Sequence, residues 1–337
     1  MSLAFKLARP FLHALDAEQA HRLTIQALKH APPLGAGPIT SPALKRTVFG
    51  LDFPNLVGLA PGFDKNAEVP DAMLAQGFGF VEIGTVTPLP QSGNARPRLF
   101  RLTEDGGVIN RMGFNNEGHA AVLQRLIARR GRGGIVGVNI GANKDSTDRV
   151  GDYVKGLEVF SEVASYLTIN ISSPNTPGLR NLQGKDDLTR LLERLHAARK
   201  NKVPMLLKIA PDLASDDLQD VADVCAGSAV DGVIISNTTI SRPTLRSVHA
   251  TETGGLSGRP LFELSTRCLK TFHAMSRGKI PLVGVGGISD AATALEKIRA
   301  GASLVQLYSA LVYQGPGLIN RICAGLDEAL QNGLEGK

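Results

Sequence analysis

Eight short apolar runs are spread along the chain, and most are followed by a polar or glycine-rich stretch and then by a helical pattern. Their apolar character is continuous rather than alternating, which is typical of parallel strands covered on both faces. Eight such units predict a (β/α)8 TIM barrel, with its functional face at the C-terminal ends of the strands. The runs are NLVGLA (55–60), GFVEI (79–83), IVGVNI (135–140), YLTINI (166–171), PMLLKI (204–209), DGVIIS (231–236), IPLVGV (280–285) and SLVQLY (303–308).

Helical patterns fill most of the intervals between these runs. They cover 117–130, 186–201, 215–226, 261–276, 290–300 and 317–330. A doubly wound open sheet is the competing architecture, and it would place a G-x-G-x-x-G fingerprint after its first strand. The corresponding stretch, GLAPGFDK, does not match, and the densest glycine cluster, GVGGISD, follows the seventh run instead. The barrel is therefore the favoured fold.

Composition limits the classes of partner. The net charge of +6 suits an anionic ligand, a membrane surface or a nucleic acid, but the chain has no tryptophan and only 5% aromatic residues. Stacking platforms for nucleic acid are therefore not expected. The three cysteines are widely spaced without a C-x-x-C motif, which indicates reduced thiols rather than a disulfide or zinc framework. No apolar run approaches the roughly 18 residues that would span a membrane.

About fifty residues precede the first barrel strand and predict an amphipathic helical hairpin followed by a short β-hairpin around Gly50. The second helix begins at Asp16, a good N-cap, with Gln19 in the capping-box position. Apolar stripes are formed by Leu3, Leu7, Phe11 and Leu15 in the first helix and by Ala20, Leu23, Ala27 and Leu28 in the second. From these residues alone, a cap packed on the barrel is favoured over a membrane-facing element. No signal peptide is expected.

Polar and glycine residues cluster where the predicted strands end. They are Gly62, Asp64, Lys65, Thr85, Asn139, Asn170, Ser173, Asn175, Lys208, Ser236, Asn237, Thr238, Gly286, Gly287, Tyr308 and Ser309. The seventh and eighth strands are each followed by a glycine turn and then by a helix start. These turns predict a phosphate cradle. Two lysines at strand ends indicate an anionic ligand and an electron-accepting ring, because a buried ammonium is costly without a negative partner. The amides and hydroxyls suit a planar heterocycle with amide-like edges.

Other chemistries find little support in the sequence. The seven histidines have no metal-ligand spacing, and no G-x-S-x-G motif is present, so a metal site and a serine hydrolase are not expected. A non-redox phosphate-sugar isomerase or synthase on the same fold remains an alternative, with Asp64 as its main candidate carboxylate. A scaffold or nucleic-acid-binding module that uses the positive charge is a second alternative.

Ten motifs, in order along nearly the whole chain, resemble dihydroorotate dehydrogenase of class 2, the quinone-dependent, membrane-associated type. They are GLAPGFDKN, EIGTVTPLPQSGNARPRLFRL, INRMGFNN, VNIGANK, TINISSPNTPGLR, KIAPD, SNTT, GGLSGRPL, VGVGGI and QLYSALVYQGPG. The resemblance implies oxidation of dihydroorotate to orotate in pyrimidine biosynthesis, with FMN as hydride acceptor. Class 1 relatives place a cysteine where this chain has Ser173, so the serine and the N-terminal extension both favour class 2.

The resemblance also implies residue roles. Ser173 is the expected catalytic base, and because a serine hydroxyl barely ionises, its proton must pass on through Thr176 or a water under the Phe114 loop. The expected substrate contacts are Lys65, Asn110, Arg111, Met112, Gly113, Phe114, Asn170, Asn175, Asn237 and Thr238. The expected FMN contacts are Pro61, Gly62, Phe63, Asp64, Lys65, Thr85, Asn139, Asn170, Lys208, Ser236, Gly258, Gly286, Gly287, Tyr308 and Ser309. Lys208 would stabilise negative charge on the reduced ring.

The N-terminal region gains a function from the same resemblance. Residues 1–40 would form an apolar mouth at the lipid bilayer surface, through which a membrane quinone reaches the flavin, and residues 41–337 would form the FMN-binding catalytic barrel. This implication reverses the preference for a plain cap. The expected protein is a monomer attached peripherally to the cytoplasmic side of the inner membrane.

Overall fold

A computed structural model of the chain describes residues 3–30, 35 and 37–335, so parts of the predicted region 1–40 lie outside the described residues. The strands are β1 (Arg46–Val48), β2 (Leu51–Phe53), β3 (Val57–Leu59), β4 (Phe80–Val86), β5 (Leu99–Leu102), β6 (Gly107–Asn110), β7 (Ile135–Ile140), β8 (Tyr166–Asn170), β9 (Met205–Ile209), β10 (Gly232–Ile235), β11 (Gly255–Gly258), β12 (Leu282–Val285) and β13 (Ala302–Leu307). The helices are α1 (Leu3–Ala14), α2 (Ala17–His30), α3 (Pro70–Ala75), α4 (Gly118–Ala128), α5 (Arg149–Phe160), α6 (Lys185–Ala198), α7 (Ser215–Ala226), α8 (Phe262–Met275), α9 (Ala291–Arg299), α10 (Ser309–Gln314) and α11 (Leu318–Glu335).

Eight parallel strands close into a barrel in the order β3, β4, β7, β8, β9, β10, β12, β13. Closure is made by β13 and β3, where Gln306 is in register with Gly58. Each predicted apolar run overlaps one barrel strand, and the (β/α)8 barrel is confirmed.

Aromatic side chains fill the barrel interior above glycines. A Cβ added at Gly58 would lie 2.3 Å from the Phe80 ring, and one added at Gly137 would lie 2.1 Å from the Tyr166 ring. Both rings are almost completely buried. The interior is therefore a packed core, and any ligand space must lie at one end of it.

The six predicted helices correspond to α4, α6, α7, α8, α9 and α11, whereas α3, α5 and α10 were not predicted. Two glycines, Gly151 and Gly156, lower the helix propensity of α5. The fold nevertheless requires Gly156 to be small, because a Cβ there would lie 3.0 Å from Ile140 Cδ1 of the neighbouring strand. Tertiary packing thus overrides propensity in this helix.

Two small antiparallel sheets lie outside the barrel. The β1–β2 hairpin around Gly50 was predicted. The sheet β5–β6–β11 was not, because β11 pairs with β6 across more than a hundred residues of sequence. This sheet carries Asn110 and Gly258 to the open end of the barrel.

Candidate active site

A cavity of about 1090 Å³ extends from the C-terminal ends of the barrel strands to the α1–α2 hairpin. All but three of the predicted site residues line it. These lining residues are Pro61, Gly62, Phe63, Lys65, Thr85, Asn110, Met112, Gly113, Phe114, Asn170, Ser173, Asn175, Lys208, Ser236, Asn237, Thr238, Gly258, Gly286, Gly287, Tyr308 and Ser309. The fold therefore brings residues from seven of the eight strand ends, all but that of β7, and from the side sheet to one space.

Asp64, Arg111 and Asn139 do not line the cavity. The Asp64 carboxylate accepts hydrogen bonds from the backbone N–H groups of residues 66, 68 and 69, and it is 1% exposed. It therefore anchors its own loop and is not available as the acid or base of an isomerase. Arg111 forms an ion pair with Glu252 at 2.6 Å and lies over the Phe100 ring.

Asn139 lies under the cavity wall in a network of buried amides. Asn170 Nδ2 donates to Thr85 Oγ1 at 2.9 Å and to Asn139 Oδ1 at 3.0 Å. Asn237 Nδ2 donates to Asn170 Oδ1 at 3.2 Å. Asn139 Nδ2 in turn donates to Glu82 Oε1 at 2.8 Å. These bonds fix the orientation of each amide before any ligand binds.

Glu82 is the buried end of this network, and it was not predicted from the sequence as a site residue. Its Oε2 accepts hydrogen bonds from Tyr166 Oη at 3.0 Å and from Gln306 Nε2 at 2.7 Å. The signal that could have found it is a carboxylate within an otherwise apolar strand, because a fully buried charge needs partners.

Lys65 and Lys208 provide the positive charge of the cavity. Lys65 Nζ donates to the Gly62 carbonyl at 2.8 Å, and burial lowers its pKa to about 8 while the Glu18 charge partly opposes this shift. Burial also lowers the pKa of Lys208, and the negative charge of Glu82 opposes it. Among the described residues neither lysine forms an ion pair, so both retain donors for an anionic ligand.

Ser173 lies in the loop after β8 and is 5% exposed. Its Oγ accepts a hydrogen bond from the Asn175 backbone N–H at 3.2 Å, and Asn175 Nδ2 donates to Asn110 Oδ1 at 3.2 Å. In the described part of the chain no His, Asp or Glu side chain hydrogen-bonds to Ser173. The hydroxyl is therefore not activated by a triad of the hydrolase kind.

Arg180 joins the Ser173 loop to the loop that follows β10. Its guanidinium donates to the Ser172 carbonyl at 3.0 Å, to the Thr238 carbonyl at 3.0 Å and to Asp212 Oδ2 at 2.9 Å. No role was predicted for Arg180 or Asp212, although both lie in the motifs shared with the family. No local pattern could have paired them, since the contact depends on the order of strands in the barrel.

The glycine turn after β12 exposes backbone donors to the cavity. Gly286 and Gly287 have φ of +109° and +78°, and within the described residues their N–H groups have no hydrogen-bond partner. The Asp290 side chain caps the start of α9, accepting from Thr293 N at 2.8 Å, so the dipole of this helix is already satisfied. The start of α10, directly after Tyr308, has no side-chain cap. Of the two helix starts beside the predicted cradle, that of α9 is capped by Asp290, whereas that of α10 has no side-chain cap among the residues that the structure describes.

The outer part of the cavity is apolar and is formed by the α1–α2 hairpin. Phe11 is 76% exposed and Leu23 is 54% exposed, and both line the cavity. The His21 ring is neutral because burial lowers its pKa to about 3, and its Nδ1 lies 3.4 Å from Tyr308 Oη. None of the helices in the described ranges is both long and apolar enough to cross a membrane.

Charged contacts attach the hairpin to the side sheet. Asp16 Oδ1 accepts from the N–H groups of Glu18 and Gln19, as expected of the predicted N-cap. Glu18 accepts hydrogen bonds from Arg98 at 2.7 and 2.9 Å and from Arg96 at 3.0 Å. The hydrogen bond with Arg98 is the main reason that the pKa of Glu18 is lowered to about 2. The hairpin is thus held by charges on one side and presents apolar side chains on the other.

These features define a class of protein: a (β/α)8-barrel enzyme whose cavity combines an anion cradle, a cationic amide-lined pocket and an apolar opening. The chain matches the family described as dihydroorotate dehydrogenase over residues 43–330, and it belongs to that family.

Relatives in this family are similar over nearly their full length. A Parvibaculum lavamentivorans protein named dihydroorotate dehydrogenase (quinone) is 59% identical over 327 residues, 96% of this chain and 93% of its own. A Mesorhizobium japonicum protein of the same name is 57% identical over 330 residues, 97% and 92% of the two chains. The crystal structure of DHODH in complex with ferulenol from Eimeria tenella is 38% identical, with a TM-score of 0.91 and coverage of 96% and 95%.

Proposed function

We propose that the chain oxidises dihydroorotate to orotate in pyrimidine biosynthesis, with FMN as cofactor, Ser173 as base and a membrane quinone as final electron acceptor. Family membership and the quinone-type names of relatives at 55–59% identity support this activity. The observation that carries it is that one cavity is lined by Ser173, Lys208 and Gly287 together.

The donors of the cavity fit FMN. The N–H groups of Gly286 and Gly287 have no partner within the part of the chain that the structure describes, and α10 has no side-chain cap there, so this end of the cavity suits the phosphate. Thr85, Asn170, Lys208 and Ser236 would hold the ring system with Pro61 to Lys65, and Tyr308, Ser309 and Gly258 would complete the phosphate end. When bound, FMN supplies the acceptor for a hydride.

Lys65 and the amides would bind the anionic substrate. The Lys65 ammonium uses one donor on the Gly62 carbonyl and keeps others for a carboxylate. Asn110, Asn175, Asn237 and Thr238 offer donors and acceptors to the cyclic amide edges, with residues 112–114 beside them. Asn139 and Asp64 would act behind the wall, by orienting Asn170 and the Gly62 loop.

Ser173 Oγ would accept the proton that leaves the substrate carbon. A hydroxyl at this position needs exclusion of bulk water and a route for its proton, since it barely ionises near neutral pH. Its low exposure supplies the first condition. Thr176 or a water under the Phe114 loop is the proposed route, and Arg180 would hold the loop in register.

The apolar hairpin would admit the quinone at a lipid surface. The exposed Phe11 and Leu7 side chains, which are 76% and 66% exposed, support contact with an apolar phase. We propose a monomer bound peripherally to the cytoplasmic side of the inner membrane. The phosphate-sugar isomerase alternative is not favoured, because the Asp64 carboxylate does not line the cavity and accepts hydrogen bonds from its own loop.

Anaerobic mixing of the purified holoenzyme with dihydroorotate tests the proposal. We expect a yellow protein whose flavin absorbance bleaches on mixing and recovers on addition of quinone, but not of fumarate or NAD. A colourless, folded protein, or one that dihydroorotate leaves yellow, would contradict the assigned reaction. Recovery with fumarate or NAD would contradict the assigned electron acceptor only.

A further inference from the structure

Lys297 is a buried lysine that the proposed reaction does not use. It lies on α9, its side chain is 0% exposed, and within the described residues it forms no ion pair. A buried ammonium without a carboxylate partner is costly, and chains retain one where a negative charge is supplied from elsewhere. The surroundings of Lys297 indicate where that charge would come from.

Two side chains of α8 contact the ammonium. Lys297 Nζ donates to Ser265 Oγ at 2.6 Å and lies 5.1 Å from the centre of the Phe262 ring. Ser265 Oγ is also 3.1 Å from the Gly286 carbonyl oxygen and 3.0 Å from the Phe262 carbonyl oxygen. A hydrogen-bonded chain therefore leads from Lys297 through Ser265 to the turn after β12.

The same two side chains form the wall directly behind the glycine turn. A Cβ added at Gly286 would lie 2.7 Å from Ser265 Oγ, and a Cβ added at Gly287 would lie 2.5 Å from Phe262 Cβ. Both glycines line the cavity on their other side. One layer of residues thus separates the ammonium from the unpartnered N–H groups of the cradle.

We propose that Lys297 is a positioning residue for a phosphate monoester in this cradle. This role rests on the proposed function, in which FMN occupies the cavity. Lys297 has two effects: its charge attracts the phosphate dianion from behind the turn, and its hydrogen bond to Ser265 fixes the Gly286 peptide. Riboflavin, which has the same ring but no phosphate, would gain nothing from this charge.

The charges around Lys297 give the expected pH dependence. Burial lowers its pKa to about 7, and the negative charges of Glu296 and Glu263 oppose the shift. Cys268 on α8 is a neutral thiol, since burial raises its pKa to about 12. A nearby phosphate dianion raises the pKa of Lys297, so phosphate binding above pH 7 is coupled to uptake of a proton.

Flavin exchange in the holoenzyme tests the proposal. Holoenzyme is equilibrated with equal concentrations of FMN and riboflavin, and the ratio of the two bound flavins is measured after gel filtration. We expect Lys297→Met to lower the FMN-to-riboflavin ratio about tenfold or more, because the positive charge that attracts the phosphate is lost. Lys270→Met, which removes an exposed lysine from α8, should keep the wild-type ratio.

The ratio separates the proposed role from a purely structural one, because misfolding would reduce binding of both flavins. An unchanged ratio in Lys297→Met would overturn the proposal. If that variant does not fold, the FMN-to-riboflavin ratio of the wild-type protein is measured from about pH 7.5 to about pH 9.5 instead. The second phosphate ionisation, near pH 6, is complete throughout this range. The ratio should fall by up to about tenfold per pH unit, and a flat ratio would reject the inference. Wild-type protein that binds no flavin would contradict the proposed function, not this assignment.

Discussion

The inner and outer ends of the cavity differ in how their side chains are satisfied. At the inner end Asn139, Asn170 and Glu82 are buried, and each makes several hydrogen bonds within the protein. At the outer end Phe11 and Leu23 are largely exposed on the hairpin. The inner end is therefore oriented before ligands bind, whereas the outer end provides an apolar surface without fixed partners.

Charge is distributed differently between the two ends as well. Lys65 and Lys208, at the inner end, form no ion pair among the described residues, so their charge is available to a ligand. At the outer end Glu18 is paired with Arg98 and Arg96, and these charges hold the hairpin. A polar anion is thus favoured deep in the cavity, and an apolar molecule is favoured at its mouth.

Ser173→Ala should have the largest effect on the inner end. We expect flavin reduction by dihydroorotate to slow by about 10²–10⁴-fold, the usual contribution of general base catalysis. Orotate and FMN should still bind, because neither needs the hydroxyl. Stopped-flow absorbance under anaerobic conditions measures the rate.

Ser173→Cys is the matched variant for this position. A thiol ionises more readily than a hydroxyl, so part of the rate should return and should rise with pH toward the thiol pKa, ordinarily about 8.5. If Ser173→Ala reduces its flavin at the wild-type rate, Ser173 is not the base.

Glu82→Gln should have the next largest effect, by breaking the buried network. One acceptor oxygen becomes an NH₂ group that faces the donors of Tyr166 and Gln306, and the Lys208 ammonium loses its negative neighbour. Leaving a buried hydrogen-bonding group without its partner costs about 1–3 kcal/mol, and more when the group is charged. Thermal or urea unfolding of the holoenzyme should show this loss.

Glu158→Gln, on the exposed face of α5, removes the same charge and should change stability by less than about 0.5 kcal/mol. Equal stabilities for the two variants would contradict the network's importance.

The sequence predicted the barrel and most of the cavity lining because both depend on local patterns. Continuous apolar strands mark the barrel, and residues just after them share its open end by geometry. Ser173 and Gly287 therefore fall in one cavity although more than a hundred residues separate them. The helices missed were short or glycine-containing, where local propensity is weak.

Long-range partners could not be predicted in the same way. Arg180 with Asp212, and Lys297 with Ser265, meet only because successive barrel units lie side by side. Glu82 could have been identified as a charge in a buried strand, but its donors come from β7, β8 and β13. The sequence predicted a helix start after the β12 glycine turn, but not that the Asp290 side chain caps it. Local spacing reveals which groups reach the site, whereas tertiary contacts determine which of them remain free.

A double substitution, Phe11→Ser with Leu23→Ser, tests the outer end. Both side chains line the mouth, so lost apolar contact should slow oxidation of the reduced enzyme by a long-chain quinone by at least about tenfold, since full burial of each side chain would contribute about 1.5–3 kcal/mol. Reduction by dihydroorotate should not change. Deleting residues 1–30 should give the same selective loss. Normal quinone oxidation by both proteins would remove the hairpin from the electron-transfer route.

Glu18→Gln should have the smallest effect, and it appears as a pH dependence of stability. The pKa of Glu18 is about 2 in the folded protein and about 4.5 when unperturbed, so its ion pairs stabilise the fold above pH 4.5 and lose this effect as the pH falls toward 2. The loss should be about 1 kcal/mol, since the Arg96 partner is 71% exposed and solvent screens that half of the cluster. We expect the difference in Tm between the wild-type holoenzyme and the variant to be largest near neutral pH and to shrink below pH 4.5. A difference that stays constant with pH would mean that Glu18 holds the hairpin by shape and neutral hydrogen bonds, so the outer end would not depend on charge for its attachment.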